Sequence, residues 1–177
     1  MKDKLIKKIN KKSAIIGVFG LGYIGLPLAL RFAEVGFKVL GFDIDSNKVK
    51  KLMRGESYID YIKPSKIEKS LKKFKATSDF SRSKDLDVLI LCVPTPLKKN
   101  KIPDLSFVIN TINMLSPYLQ KNQVVSLEST TYPGTTEEEI LPRLEKKGFK
   151  IGKDFFLLYS PEREDPGNKV FSTSTIP

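Results

Sequence analysis

Ser13-Ala14-Ile15-Ile16-Gly17-Val18-Phe19-Gly20-Leu21-Gly22-Tyr23-Ile24-Gly25 is the stretch that decides how this chain folds. An apolar run leads directly into G-x-G-x-x-G, and Leu26 to Ala33 continues as a helical pattern. About 18 residues past Gly25, Asp43 closes a second apolar run. A strand before the glycines, a helix after them and an acid downstream form the context in which this motif binds a dinucleotide. Gly20 permits the tight turn, Gly22 lets backbone approach a pyrophosphate, and Gly25 lets the helix pack close to the strand. The helix N-terminus offers free N–H groups and partial positive charge to the phosphates. Tyr23 and Ile24 complete the loop expected to touch the cofactor. Asp43 is placed to accept hydrogen bonds from the adenosine ribose, and its charge repels a 2′-phosphate, so NAD is favoured over NADP. The competing reading is a glycine turn that only packs helix on strand.

The remaining composition narrows the class. A chain of 177 residues with 40% hydrophobic content suits one globular domain with a sizeable core. No apolar run approaches the length of a membrane span, and the Lys-rich start lacks the apolar centre of a signal peptide. A single cysteine allows no internal disulfide. Together these features predict a cytoplasmic protein with no membrane contact. The net charge is +11, from 31 basic and 20 acidic residues. The lysines gather at Lys2 to Lys12 and at Lys63 to Lys75, with little arginine or aromatic interleaving, so they read as solvated faces and not as a nucleic-acid surface. There is no histidine, which excludes a Ser-His-Asp triad and a His-bearing zinc site. No metal site is expected.

In chain order, residues 1–12 read as a basic arm, a short helix or a frayed end. Strands are predicted at Ala14–Phe19, Lys38–Asp43, Phe74–Thr77, Val88–Val93, Gln123–Glu128 and Asp154–Tyr159. Helices are predicted over Tyr23–Val35, from Asp45 or Ser46 through Met53, from Pro64 to about Lys73, from Asp104 to about Leu119, and from Thr135 or Thr136 to Gly148. Gly55 to Ile62 reads as a loop with two tyrosines. Alternating strands and helices predict an α/β, Rossmann-type, doubly wound parallel sheet of six strands in the order 3-2-1-4-5-6. Residues 13–165 form this domain, and the Ser/Thr-rich residues 166–177 read as the start of a linker.

Ligands of such sheets bind outside the carboxyl ends of the strands. Val93, Pro94 and Thr95 are expected over the middle of the cofactor, although the prolines also serve simply to end a strand. Lys48 either reaches the adenosine end or is an exposed helix lysine. Thr130 and Glu162 end neighbouring strands. Either they share a proton path, with a carboxylate as general base where histidine is lacking, or they cap helices. Cys92 falls inside a buried run and reads as a small hydrophobe, not a nucleophile.

Taken together, the motifs resemble the nucleotide-sugar 6-dehydrogenases, the family of UDP-glucose and UDP-N-acetylhexosamine dehydrogenases. The resemblance rests on Val18 to Pro27, Gly41-Phe42-Asp43-Ile44-Asp45, Cys92-Val93-Pro94-Thr95-Pro96, Glu128 to Thr136, and Ser160-Pro161-Glu162-Arg163-Glu164-Asp165-Pro166-Gly167-Asn168. The last two blocks look most like the UDP-N-acetylglucosamine branch, which serves surface polysaccharide synthesis. The resemblance implies oxidation of the sugar C6 alcohol to a carboxylate with two NAD, through a cysteine thioester. It implies roles for Thr130 and Glu162 around the water and the hydride step, and a weaker match for Glu164. The family's catalytic cysteine and UDP-sugar site lie in a downstream domain that this chain does not reach, and Cys92 does not match that cysteine. The expectation is an N-terminal NAD-binding domain that holds NAD without completing the oxidation, from a longer protein that resembles homodimeric enzymes. Two other readings stay open: a dehydrogenase of the 6-phosphogluconate type, and a non-enzymatic NAD-binding module.

Overall fold

The computed structural model describes residues 2–99 and 101–161. After a short helix α1 (Lys2–Asn10), six strands form one sheet: β1 (Ile15–Phe19), β2 (Lys38–Phe42), β3 (Phe74–Thr77), β4 (Val88–Leu91), β5 (Val124–Leu127) and β6 (Phe156–Tyr159). Their order is β3-β2-β1-β4-β5-β6, and every neighbouring pair is parallel. This is the doubly wound order that the glycine loop and the alternation of elements predict.

Side-chain alternation along the strands builds two cores. Ile16 and Val18 of β1 and Ile90 of β4 face one layer, where Leu26 and Leu30 of α2 (Gly25–Glu34), Leu52 of α3 (Ser46–Met53) and Ile67 of α4 (Pro64–Ser70) cover them. Phe19, Leu89, Leu91, Val125 and Leu127 face the other, under Val108 and Ile112 of α5 (Ser106–Leu115) and Leu144 of α6 (Leu141–Glu145). Both faces are covered, which is why β4 reads as a continuous apolar run. Burying each such side chain stabilises the fold by roughly 1.5–3 kcal/mol. Helices α2 to α4 pack on one face and α5 and α6 on the other. The chain changes face between β3 and β4, through a 3₁₀ turn at Phe80–Asp85 whose Phe80 packs into the second core. The carboxyl ends of β1 and β4 therefore diverge in connection and leave a crevice between them.

Several boundaries differ from the sequence reading. Helix α2 begins at Gly25 and not at Tyr23, with Ile24 at its N-cap, so the glycine loop stays outside the helix. The regular part of β4 ends at Leu91, although the Cys92 amide still donates to the Phe19 carbonyl at 2.8 Å. Beyond it Pro94 has no N–H to continue the ladder. Helix α5 stops at Leu115, and a 3₁₀ turn with Pro117 takes over through Tyr118. Thr135–Ile140 is a π-helix running into α6. Pro142 lacks a donor and its ring crowds the carbonyl four residues back, which the wider turn accommodates.

The basic arm is not wholly solvated. Leu5 of α1 is buried, and Lys8 Nζ donates to Asp87 Oδ1 at 2.5 Å. Asp87 Oδ2 accepts from the Ile15 amide at 2.9 Å, so one carboxylate ties α1 and β1 to the amino end of β4.

Candidate functional site

A cavity of about 1000 Å³ opens over the carboxyl ends of β1, β2, β4 and β5. Gly20, Gly22, Tyr23, Ile24, Asp43, Lys48, Val93, Pro94, Thr95 and Thr130 all line it. The structure thus gathers these sequence-predicted residues around one space. Gly25 is not among them: it is buried beneath the loop and acts through packing. Glu162, with Glu164, lies outside the described residues.

The loop is built by backbone constraint. Gly20 has φ +92°, and its amide donates to the Phe42 carbonyl at 2.8 Å, so the chain turns sharply while remaining bonded to β2. Side chains rarely adopt that conformation. A Cβ added at Gly22 would meet nothing within 4 Å, so this position leaves a cradle open in the wall of the cavity. At the start of α2 the Leu26 amide already donates to the Gly22 carbonyl at 3.1 Å and Pro27 has no N–H, so the loop amides just before them stand at the positive end of the helix dipole. An anion is the natural occupant beside them.

Asp43 closes the β2 side. Its side chain is only 9% exposed, and both oxygens are engaged. Oδ2 accepts from the Leu21 amide at 3.0 Å, and Oδ1 from the Asp45 amide at 2.9 Å. Each oxygen keeps a further lone pair for a hydroxyl. Lys48 Nζ is 3.8 Å from Asp43 Oδ2 and 5.6 Å from the centre of the Tyr58 ring. Lys48 is therefore neither a plain solvated lysine nor a free cation. It faces the cavity while already paired.

On the other side, Ser129 holds the loop after β4. Its Oγ donates to the Val93 carbonyl at 2.7 Å. Thr130 is exposed at the end of β5, next to Glu128, whose Oε1 accepts from Ser126 Oγ at 3.3 Å. Thr131 and Thr135 share a hydroxyl hydrogen bond of 2.6 Å that steadies the turn into the π-helix. Cys92 is 8% exposed and packs beneath the loop, as a small hydrophobe does. Among the described residues, no group of three or more His, Cys, Asp or Glu side chains could hold a metal ion.

Sequence reasoning missed part of the wall. Phe107, Asn110, Thr111 and Met114 reach it from α5, and Phe19, Phe42 and Phe80 line its floor. Phe19 and Phe42 stack with centroids 4.3 Å apart. The helical spacing of the α5 residues was visible, but their direction depended on which face of the sheet α5 covers.

Tyr58 also lines the cavity. Its hydroxyl donates to the Leu21 carbonyl at 2.6 Å. Burial first, then the Asp43 and Asp45 carboxylates, push its phenol well above the ordinary value of 10.0. A folded-state value raised in this way stabilises the fold fully below about pH 10, and that contribution fades as the pH rises and the unfolded phenol ionises. The stability difference between the unsubstituted chain and Tyr58→Phe is expected to shrink above that pH in melts followed by circular dichroism. A difference that stays constant across the range contradicts it.

A family model described as "UDP-glucose/GDP-mannose dehydrogenase family, NAD binding domain" matches residues 14–177. Protein CapL of Staphylococcus aureus is 40% identical over 162 residues, covering 91% of this chain and 38% of that protein. The UDP-N-acetyl-D-glucosamine 6-dehydrogenase of Pseudomonas aeruginosa is 39% identical over 172 residues, covering 93% and 39%. The crystal structure of the NDP-N-acetyl-D-galactosaminuronic acid dehydrogenase from Methanosarcina mazei Go1 superposes with a TM-score of 0.81 at 39% identity, over 93% of this chain and 38% of that one. The chain spans less than two fifths of the length of the curated relatives it matches. No helix among the described residues is long and apolar enough to cross a membrane.

Proposed function

The chain belongs to the UDP-glucose/GDP-mannose dehydrogenase family as its NAD-binding domain, and from that premise we propose that it serves an NAD-dependent oxidation of a UDP-N-acetylhexosamine, UDP-N-acetylglucosamine first among them. One observation carries the reading: a single cavity has the helix-terminal cradle at Gly22 and the buried Asp43 carboxylate on one side, and Thr130 on the other. In it the loop from Gly20 to Ile24 binds the pyrophosphate through backbone amides. Asp43 accepts from the adenosine ribose, and Lys48 neutralises part of the charge there. Val93, Pro94 and Thr95, braced by Ser129, cover the middle of the dinucleotide.

NAD supplies the hydride acceptor. Thr130 Oγ1 holds a water or a proton near the reacting alcohol. Glu162 is the general base, consistent with the absence of histidine from the chain. The UDP-glucose and UDP-N-acetylmannosamine dehydrogenases are the substrate alternatives. The test is NADH formation by the dehydrogenase that carries this domain, with each of the UDP-sugars in turn. UDP-N-acetylglucosamine is expected to give NADH faster than UDP-glucose or UDP-N-acetylmannosamine. Turnover confined to UDP-glucose would move the substrate assignment, and turnover of none would remove it.

A further inference from the structure

Between α3 and α4 the chain runs through Tyr58-Ile59-Asp60-Tyr61-Ile62. The two isoleucines, three apart, are 2% and 4% exposed and lock the segment into the first core. The two tyrosines, also three apart, reach the glycine loop. Tyr58 Oη donates to the Leu21 carbonyl at 2.6 Å, and Tyr61 Oη donates to the Tyr23 carbonyl at 3.0 Å. The segment is itself braced, since the Ile59 amide donates to Ser57 Oγ at 3.2 Å and the Ile62 amide to the Ile59 carbonyl at 3.0 Å.

The peptide plane turns these contacts into a statement about direction. No cis peptide occurs among the described residues, and in a trans peptide the N–H points opposite to the C=O of the same plane. The Leu21 carbonyl shares its plane with the Gly22 amide, and the Tyr23 carbonyl shares its plane with the Ile24 amide. Holding each carbonyl against a phenol therefore points each of these amides away from the tyrosines. Gly22 and Ile24 both line the cavity. The preceding peptide is held as well, because the Leu21 amide donates to Asp43 Oδ2 at 3.0 Å.

We propose that Tyr58 and Tyr61 are positioning residues: a two-point clamp that fixes the carbonyls of the glycine loop and thereby aims the Gly22 and Ile24 amides at the cofactor pyrophosphate. The clamp rests on the cofactor reading given above. It explains why a loop with two glycines and no side-chain anchor of its own keeps its amides preorganised, so that binding an anion does not have to order them first. Phenylalanine at either position keeps the ring and removes only the hydroxyl.

Titration calorimetry with NAD and with adenosine, which carries no phosphate, tests the clamp on Tyr58→Phe, Tyr61→Phe and the double variant of the full chain. The expected result is a roughly 10-fold loss of NAD affinity for Tyr58→Phe, the size of one lost buried hydrogen bond. The loss should be smaller for the more exposed Tyr61 and largest in the double variant, with adenosine affinity unchanged. In amide NMR spectra of Tyr58→Phe, the shift of the Gly22 resonance on adding inorganic pyrophosphate is expected to shrink more than that of Ile24, with the reverse in Tyr61→Phe. Unchanged NAD affinity in a folded double variant overturns the clamp, as does an equal loss for NAD and adenosine. An unsubstituted chain that binds no NAD overturns the cofactor reading itself.

Discussion

Replacing Gly25 by alanine is expected to abolish measurable NAD binding and to lower stability by about 3 kcal/mol, the upper part of the range for overpacking a filled site. A Cβ at Gly25 would stand 1.9 Å from the Gly20 carbonyl oxygen and 3.1 Å from Cys92 Cβ. Neither neighbour has room to give. The Gly20 carbonyl belongs to a residue at φ +92° whose own Cβ position is only 2.7 Å from the Cys92 carbonyl oxygen. Relief would need α2 to move off β1, and that movement carries the loop amides out of line with the anion. Chemical denaturation measures the first effect, and titration with NAD the second. A variant that keeps the original midpoint and affinity would show that the loop and helix are less tightly joined than these distances state.

Asp43→Ala is the second large effect. Two partners lose their acceptor, the Leu21 and Asp45 amides. The more buried Leu21 amide alone costs about 2 kcal/mol when left unpaired. The loss of ribose contacts adds an affinity term, because a carboxylate bonded to two hydroxyls is worth about 3 kcal/mol, which is roughly a 100-fold change in Kd. With the negative charge gone, NADP is no longer repelled, so discrimination between the two cofactors should fall toward unity. Titration of the variant with both cofactors reads this, and retained preference for NAD would show that selectivity lies elsewhere, for instance at Lys48.

How much of this was legible in the sequence follows from where each signal lies. The glycine loop, Asp43 and the β4 run were legible because their information is local: spacing, apolar runs and strand punctuation. The strand order followed from the alternation of elements. The clamp was not legible, since Tyr58 and Tyr61 meet the loop only after α3 and β2 have placed them nearly forty residues downstream in the chain. The same holds for Ser129 on the Val93 carbonyl and for Lys8 on Asp87, both long-range pairs. The lysines near the N-terminus read as solvent-facing because charge alone does not reveal a partner 79 positions away. The π-helix was missed because the sequence shows Pro142 but not which carbonyl its ring displaces. Glu162, read from its motif, lies outside the described residues, so its placement opposite Thr130 stands as a proposal.

The central proposal is that the crevice over β1, β2, β4 and β5 holds NAD with its adenosine ribose on Asp43. Calorimetric titration of the unsubstituted chain with NAD and NADP tests it most directly. The account predicts one site per chain for NAD and binding at least about 10-fold weaker for NADP, the size of about 1.4 kcal/mol of charge repulsion and lost hydrogen bonding. Equal or tighter binding of NADP would contradict it.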